Sequence, residues 1–239
     1  MKTTIELAGI PLEIELPTAD HLPAYEPFMT RAAPLLHVGV SAQEAAELRR
    51  RCGRGGPASY WAHLLLSLKV SDALLPYRRT ILHATAFQWR GRAFLFTGES
   101  GVGKTTQYLL WKLLYGADVQ MINGDKPILA FDGPRIWVHP SPWTGKEGMG
   151  QPIVAPLGGV VLLRQGPTDH IRRSTAEESA GALRAQFLVS RDGPTVQRMA
   201  ERLAREVPVW LLTNRGDEAS ARLCQDAFEE SLRGRGPSK

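Results

Sequence analysis

Residues 98–106 read GESGVGKTT. Glycine, four free positions, glycine, lysine and threonine fall at Gly98, Gly103, Lys104 and Thr105, the spacing of a phosphate-binding loop. Glycines there let the backbone curl until successive N–H groups converge on an anion. Lys104 supplies a point charge to the β- and γ-phosphates and Thr105 a hydroxyl to Mg²⁺, with Glu99, Ser100, Gly101, Val102 and Thr106 completing the cradle. The surroundings agree. Ala93–Thr97 is a strand-like apolar run entering the loop, and Thr105–Tyr115 is a helical run leaving it and stopping at Gly116. A helix that starts there turns its positive end toward the same phosphates. The loop therefore predicts a nucleoside triphosphate as ligand, without naming a reaction.

Upstream, Ile81–Trp89 reads as a second strand, joined to the first through Arg90-Gly91-Arg92. Downstream, Val119–Asn123 is a strand ending at Gly124-Asp125, and Ile128–Phe131 with Arg135–His139 forms a hairpin around Asp132-Gly133. A Pro/Gly-rich loop covers 140–152, and Gly159–Arg164 is a strand of the fully buried kind. Helices follow at Ala176–Leu188 and Thr195–Glu206, the second facing inward with Val196, Met199, Leu203 and Val207. A strand at Val207–Thr213 and a helix at Glu218–Leu232 close the pattern.

The N-terminal part differs in character. TIELA and LEIEL predict a hairpin around Gly9-Ile10-Pro11, and Ser41 with Glu44 forms a capping box opening a helix. A helix over 58–75 places Leu64, Leu65, Leu68 and Leu75 on its apolar face. Strands alternating with helices around the loop predict an α/β domain with a small N-terminal α+β portion. One unit over 1–239 is expected: hairpin and helices in 1–75, a nucleotide-binding core in 76–233, and a disordered tail at 234–239.

Composition narrows the classes of partner. The 239 residues carry a formal charge of +5, part of it in Arg49, Arg50, Arg51 and Arg54. No aromatic residue interleaves with these arginines, so they read as a solvated surface and nucleic acid is not an expected partner. Cys52 and Cys224 stand far apart, without a CxxC pair or a histidine cluster, which predicts a reducing, cytoplasmic setting. The N-terminus alternates polar and apolar residues unlike a signal peptide, and no apolar window is long enough for a membrane span.

The stretch His83 to Lys126 resembles the HPr kinase/phosphorylase family and its shorter relatives, among them kinases encoded beside lasso-peptide pathways. The resemblance rests on Leu82-His83-Ala84, the strand into GESGVGKTT, and Ile122-Asn123-Gly124-Asp125-Lys126-Pro127. The smaller peptide kinases also look similar at Ser141-Pro142-Trp143-Thr144-Gly145-Lys146-Glu147 and at Pro156–Leu163. It implies a P-loop-containing HPr kinase/PEP carboxykinase-like fold, with a central mixed β-sheet flanked by helices. Where the family usually has two adjacent aspartates this chain has Gly124-Asp125, which places it nearer the stand-alone kinases. The resemblance implies ATP (GTP left open) with Mg²⁺, a serine of a ribosomally made peptide as acceptor, and leaves a homo-oligomer open.

Physical chemistry assigns roles on the same residues. Asp125 ends a strand after the loop's helix, so it can reach the loop's mouth to hold Mg²⁺ or accept the proton of an acceptor hydroxyl. His83 would assist or orient that carboxylate, a role resting on the resemblance. The loop 140–152 offers Ser141, Trp143 and Glu147 as acceptor-side groups and Lys146 as a charge-stabilising catalytic residue. Arg78 and Arg79 read as a charge clamp or as exposed charge before a strand. A kinase of a phosphocarrier protein or a small hydroxylated metabolite uses the same residues. A nucleotide-hydrolysing regulatory module is the alternative of another class; the NKxD motif of GTPases is missing at Asn123-Gly124-Asp125.

Overall fold

Alternation over residues 2–15 pairs as an antiparallel hairpin, β1 (Lys2–Leu7) with β2 (Ile10–Glu15), burying Ile5, Leu7, Leu12 and Ile14. The turn is Ala8-Gly9, with φ of 49° and 78°, rather than Gly9 to Pro11. Positive φ at both central residues gives the twist that matches two right-handed strands. The computed structural model describes residues 1–53, 55–190 and 193–233; Arg54 and the expected tail 234–239 lie outside the described residues.

Two N-terminal elements were not expected from the pattern, α1 (Leu22–Tyr25) and β3 (Leu36–Gly39), the latter adding parallel to β2. Helix α2 (Ala42–Cys52) opens with the predicted capping box, Ser41 Oγ accepting from Glu44 N at 3.2 Å and Glu44 Oε2 from Ser41 N at 2.9 Å. Helix α3 (Ala58–Leu74) buries Trp61, Leu66, Ser67, Val70, Ser71 and Leu74. Its expected face of Leu64, Leu65, Leu68 and Leu75 is only half-buried. Two serines, Ser67 and Ser71, lie inside the interface and break its apolar pattern. Ser71 Oγ accepts the Ile81 N–H at 2.9 Å, so a polar residue belongs on the inner face.

The remaining strands are β4 (Arg79–Ile81), β5 (Ala84–Trp89), β6 (Arg92–Thr97), β7 (Val119–Asn123), β8 (Ile128–Ala130), β9 (Trp137–His139), β10 (Ala155–Gln165), β11 (His170–Arg173) and β12 (Val209–Asn214). Between them run α4 (Lys104–Tyr115), α5 (Ala176–Arg184), α6 (Pro194–Glu206) and α7 (Glu218–Arg233). The expected strand 81–89 is broken at Leu82-His83, β11 was not foreseen, and α5 ends at Arg184 rather than Leu188.

The main sheet runs β7-β5-β6-β10-β12-β11, with β6, β10 and β12 parallel and the other pairs antiparallel. The first residues of β10, Ala155 and Pro156, pair instead with β9, which carries β8 and β4 beyond it. This mixed sheet is flanked by helices on both faces. Alternate residues of β6 divide between them: Phe94 and Phe96 pack with Tyr108, Trp111 and Phe228 of α4 and α7. Ala93 and Leu95 share a cluster with Leu183, Val196, Met199 and Leu203 of α5 and α6. A third cluster joins β1–β3 and α1–α3 to Ile81, Ile128 and Trp143. The N-terminal part is therefore seated on the sheet edge beside the 140–152 loop.

Candidate active site

Strand β6 delivers the chain to the loop with its interior buried, and the loop then needs glycine. Gly98 has φ of 142°, and a Cβ built there would lie 3.0 Å from Leu163 O and 3.3 Å from Val102 Cγ1. Gly103 (φ 102°) caps α4 without any side-chain hydrogen bond, leaving first-turn N–H groups for an anion. Lys104 is 8% exposed, and its ammonium donates to Gly98 O at 3.1 Å and Glu99 O at 2.9 Å. Burial pushes that ammonium below the usual lysine range. Thr105 is half-buried, whereas Glu99, Ser100, Gly101 and Thr106 are exposed. A cleft of about 610 Å³ opens beside the loop between residues 98–102, the end of β10 and Ala182, Ala185 and Gln186.

His83 and Asp125 meet because two interruptions in neighbouring strands fall in register. Strand β5 pairs with β7 and β4 with β8, so the step between β4 and β5 lies against the step between β7 and β8. Ala84 N donates to Asp125 O at 2.9 Å and Leu82 N to Pro127 O at 3.0 Å, holding 82–84 along 125–127. His83 is thus in a bend between strands, not on the strand expected. On its other side, His83 N donates to Gln186 O at 2.8 Å and Leu188 N to Ile81 O at 2.8 Å. That pairing is why α5 stops early. Thr97 Oγ1, one residue before the loop, donates to His83 O at 2.7 Å.

Asp125 is gripped from both sides. His83 Nε2 lies 3.4 Å from Oδ1, and the Lys126 ammonium donates to Oδ2. Burial, then the Lys104 charge, holds His83 below the usual histidine range; the Asp125 charge and, less strongly, a side-chain hydrogen bond to Gln186 pull the other way. The Thr97 bond to His83 O ties this cluster to the residue that precedes the phosphate loop. Asn123, fully buried, organises the turn: its Oδ1 accepts from Asp125 N at 2.9 Å and Lys126 N at 2.7 Å. Its Nδ2 donates to Ser141 O and Ser141 Oγ at 3.0 and 3.1 Å.

The 140–152 loop divides in two. Ser141 is 1% exposed and donates through Oγ to Lys126 O at 2.6 Å. Trp143 is 2% exposed, and its Nε1 donates to His63 O at 3.0 Å. Expected as acceptor-side groups, both are structural pins. Ser141 closes the turn polar network, and Trp143 fills the seam with the N-terminal part. Beyond them Gly145 passes Asp125, since a Cβ there would lie 3.0 Å from Asp125 Cβ. Lys146 and Glu147 follow on the exposed tip. Arg79 is not a clamp for substrate, because its guanidinium is spent on both Asp132 oxygens at 2.7 Å and on Tyr77 O and Ala8 O.

Three site residues escaped the sequence reading: Lys126, Asn123 and Gln186. Asn-Gly-Asp is a recognisable signal for a side-chain-closed turn, so Asn123 was within reach. Lys126 and Gln186 carry no such signal. Thr105 and Asp125 are the side chains expected to meet Mg²⁺, and among the described residues no group of three His, Cys, Asp or Glu gathers. So sparse a set fits a cation that takes most of its shell from phosphate and water.

No protein-family profile matches the chain, and no curated protein matches it in sequence. Among solved structures it is similar to the Hpr(Ser) kinase/phosphatase from Coxiella burnetii, at 10% identity and a TM-score of 0.36, over 65% of this chain and 99% of that one. At that identity and TM-score the likeness has no weight on function, which rests on the residues of this chain.

Proposed function

We propose that this chain is a phosphotransferase that moves the γ-phosphate of ATP to a hydroxyl, the acceptor being a serine of a ribosomally made peptide such as a lasso-peptide precursor. The observation that carries the reading is the shared mouth of two structures. One is the loop with a buried Lys104 at the end of β6; the other is Asp125, paired with His83 and Lys126. A loop alone binds a triphosphate, whereas a carboxylate beside it gives the attacking oxygen somewhere to leave its proton.

In this reading Asp125 takes the proton of the acceptor hydroxyl while its oxygen bonds to the γ-phosphorus. The bond from that phosphorus to the β–γ bridging oxygen breaks, and ADP leaves with the electron pair. Lys104 and the N–H groups of the loop and α4 face the charge on the phosphates. When bound, Mg²⁺ supplies further neutralisation, and Thr105 would hold it. His83 orients the carboxylate, and exposed Lys146 and Glu147 stand at the tip of the loop that passes Asp125. The peptide acceptor is supported by the resemblance and by that exposed tip.

The test is transfer of label from γ-labelled ATP with Mg²⁺ to serine-containing peptides. Asp125→Asn should lower transfer by about 10²–10⁴-fold with nucleotide binding retained. Release of free phosphate with every acceptor left unlabelled would instead indicate a nucleotide-hydrolysing module.

A further inference from the structure

The β7 exit has two features that a phosphate loop does not require. The first is Gly124. A Cβ at this position would lie 2.7 Å from Thr144 O and 3.2 Å from Met149 O, both backbone atoms, and Gly124 N donates to Met149 O at 2.9 Å. The returning loop fills the space that a second side chain would occupy, so the turn presents one carboxylate. The second is the state of that carboxylate: Oδ2 receives the Lys126 ammonium and Oδ1 faces His83 Nε2 at 3.4 Å. Oδ2 is therefore taken by an ammonium, and Oδ1, on the His83 side, is the oxygen without one.

Lys126 is well placed to keep this arrangement. Its N–H and that of Asp125 bond to the same Asn123 oxygen, so the two residues leave the turn as a fixed pair. Its side chain is 15% exposed, so the ammonium has little freedom to leave. A divalent cation on Oδ2 would have to displace that ammonium or sit against it, like charge to like charge.

We infer that Lys126 is a positioning residue that commits Asp125 to the acceptor hydroxyl, leaving Thr105 as the side-chain seat of the divalent ion. The inference deepens the kinase reading and rests on it for the word acceptor. The Lys126 contact with Asp125 carries the first half of this division, and the spacing of the phosphate loop carries the second.

The experiment measures affinity for a fluorescent ADP analogue in Mg²⁺ and in EDTA, with the full-length chain and its variants. The ratio of the two affinities reads the metal independently of turnover. Thr105→Ala should reduce the ratio by about tenfold or more. Asp125→Asn should leave it at the wild-type value. Lys126→Met should raise it, because a freed oxygen becomes available to the metal, and Lys126→Met with Asp125→Asn should restore it. A merely structural lysine would not produce that reversal. Transfer to peptide by Lys126→Met should fall about 10–100-fold, with Lys126→Arg recovering part of it. An Asp125→Asn variant that loses the Mg²⁺ effect as Thr105→Ala does would overturn the inference, as would a Lys126→Met ratio unchanged from wild type. If no acceptor is ever labelled, the kinase reading fails and the affinity ratios still decide the assignment of the metal seat.

Discussion

Trp143 Nε1 donates to the carbonyl oxygen of His63 at 3.0 Å, tying the loop that passes the carboxylate to the middle of α3. The indole also meets the Tyr25 ring edge-on at 6.1 Å between centroids, in a seam where the Tyr25 hydroxyl and His63 Nδ1 are 2.8 Å apart. One side chain thus couples the N-terminal part to the site. Trp143→Ala should cost about 3–5 kcal/mol in urea unfolding, the range for deleting a buried aromatic. Trp143→Phe should cost less while still losing the N–H bond. In the Phe variant the acceptor KM should rise with nucleotide affinity unchanged. A weaker nucleotide affinity with normal acceptor KM would show that the tryptophan supports the phosphate loop instead.

Asn123 is the next link inward, because a single amide satisfies two backbone N–H groups and reaches Ser141. Asn123→Ala strands those N–H groups in a half-buried turn, each at up to about 1–3 kcal/mol. Asn123→Asp keeps the accepting oxygen and replaces the donor facing Ser141 O with a second acceptor. Transfer should therefore fall in both variants, while stability should fall further in Asn123→Ala if the turn is the dominant contribution. Thermal melts beside kcat measurements check this. Equal, wild-type rates in both would remove Asn123 from the site.

The phosphate loop was legible because its chemistry is local: glycine spacing, a lysine and a threonine lie within nine residues, between a strand and a helix. The β6, α4, β7 and β12 segments were equally plain, their apolar runs being bounded by turn residues. What escaped was non-local. Nothing between Ile81 and Trp89 reveals that the strand breaks at His83, since the break is imposed by pairing with 125–127 on one side and 186–188 on the other. The same pairing ends α5 at Arg184 and makes Gln186 a partner of His83. Strand β3 was missed because four residues with one buried position hold too little pattern. Trp143 reads from sequence as an acceptor-side group in a Pro/Gly-rich loop, and only the position of α3 makes it a core residue.

Acid should weaken the fold through two histidines buried in neutral form. Burial, and then His21, lowers His63 to about 3; burial, and then Arg79, lowers His139 to about 4. An unfolded histidine titrates near its ordinary value of about 6.5. Between that pH and the lowered value the unfolded chain binds more protons than the folded one, so stability rises with pH there and falls on acidification. The contribution is complete above about 6.5 and is lost progressively toward pH 4 and below. Urea midpoints should drop across this window in wild type, and His139→Gln should flatten the drop. A midpoint independent of pH from 6.5 down to 4 would contradict the neutral burial of both rings.

Gly98 provides the sharpest test of the nucleotide site itself. Its φ of 142° is a conformation that side-chain-bearing residues rarely adopt, and a Cβ would press on Leu163 O at 3.0 Å. Alanine there must either hold about 1–3 kcal/mol of backbone strain or let the loop relax away from the anion-binding curl. The pressure falls on one backbone oxygen near the end of β10, and the apolar core shared by β6 and β10 lies beyond it, so the rest of the fold should persist. Gly98→Ala should therefore weaken binding of ATP and ADP alike, in Mg²⁺ and in EDTA, with little change in the far-UV spectrum. The ratio between the two conditions should stay at its wild-type value, because Thr105 is unaltered. Titration with the fluorescent ADP analogue distinguishes the outcomes. Undiminished affinity would mean that the loop tolerates a side chain at Gly98 and that its curvature is set elsewhere, at Gly101 or Gly103 (φ 83° and 102°).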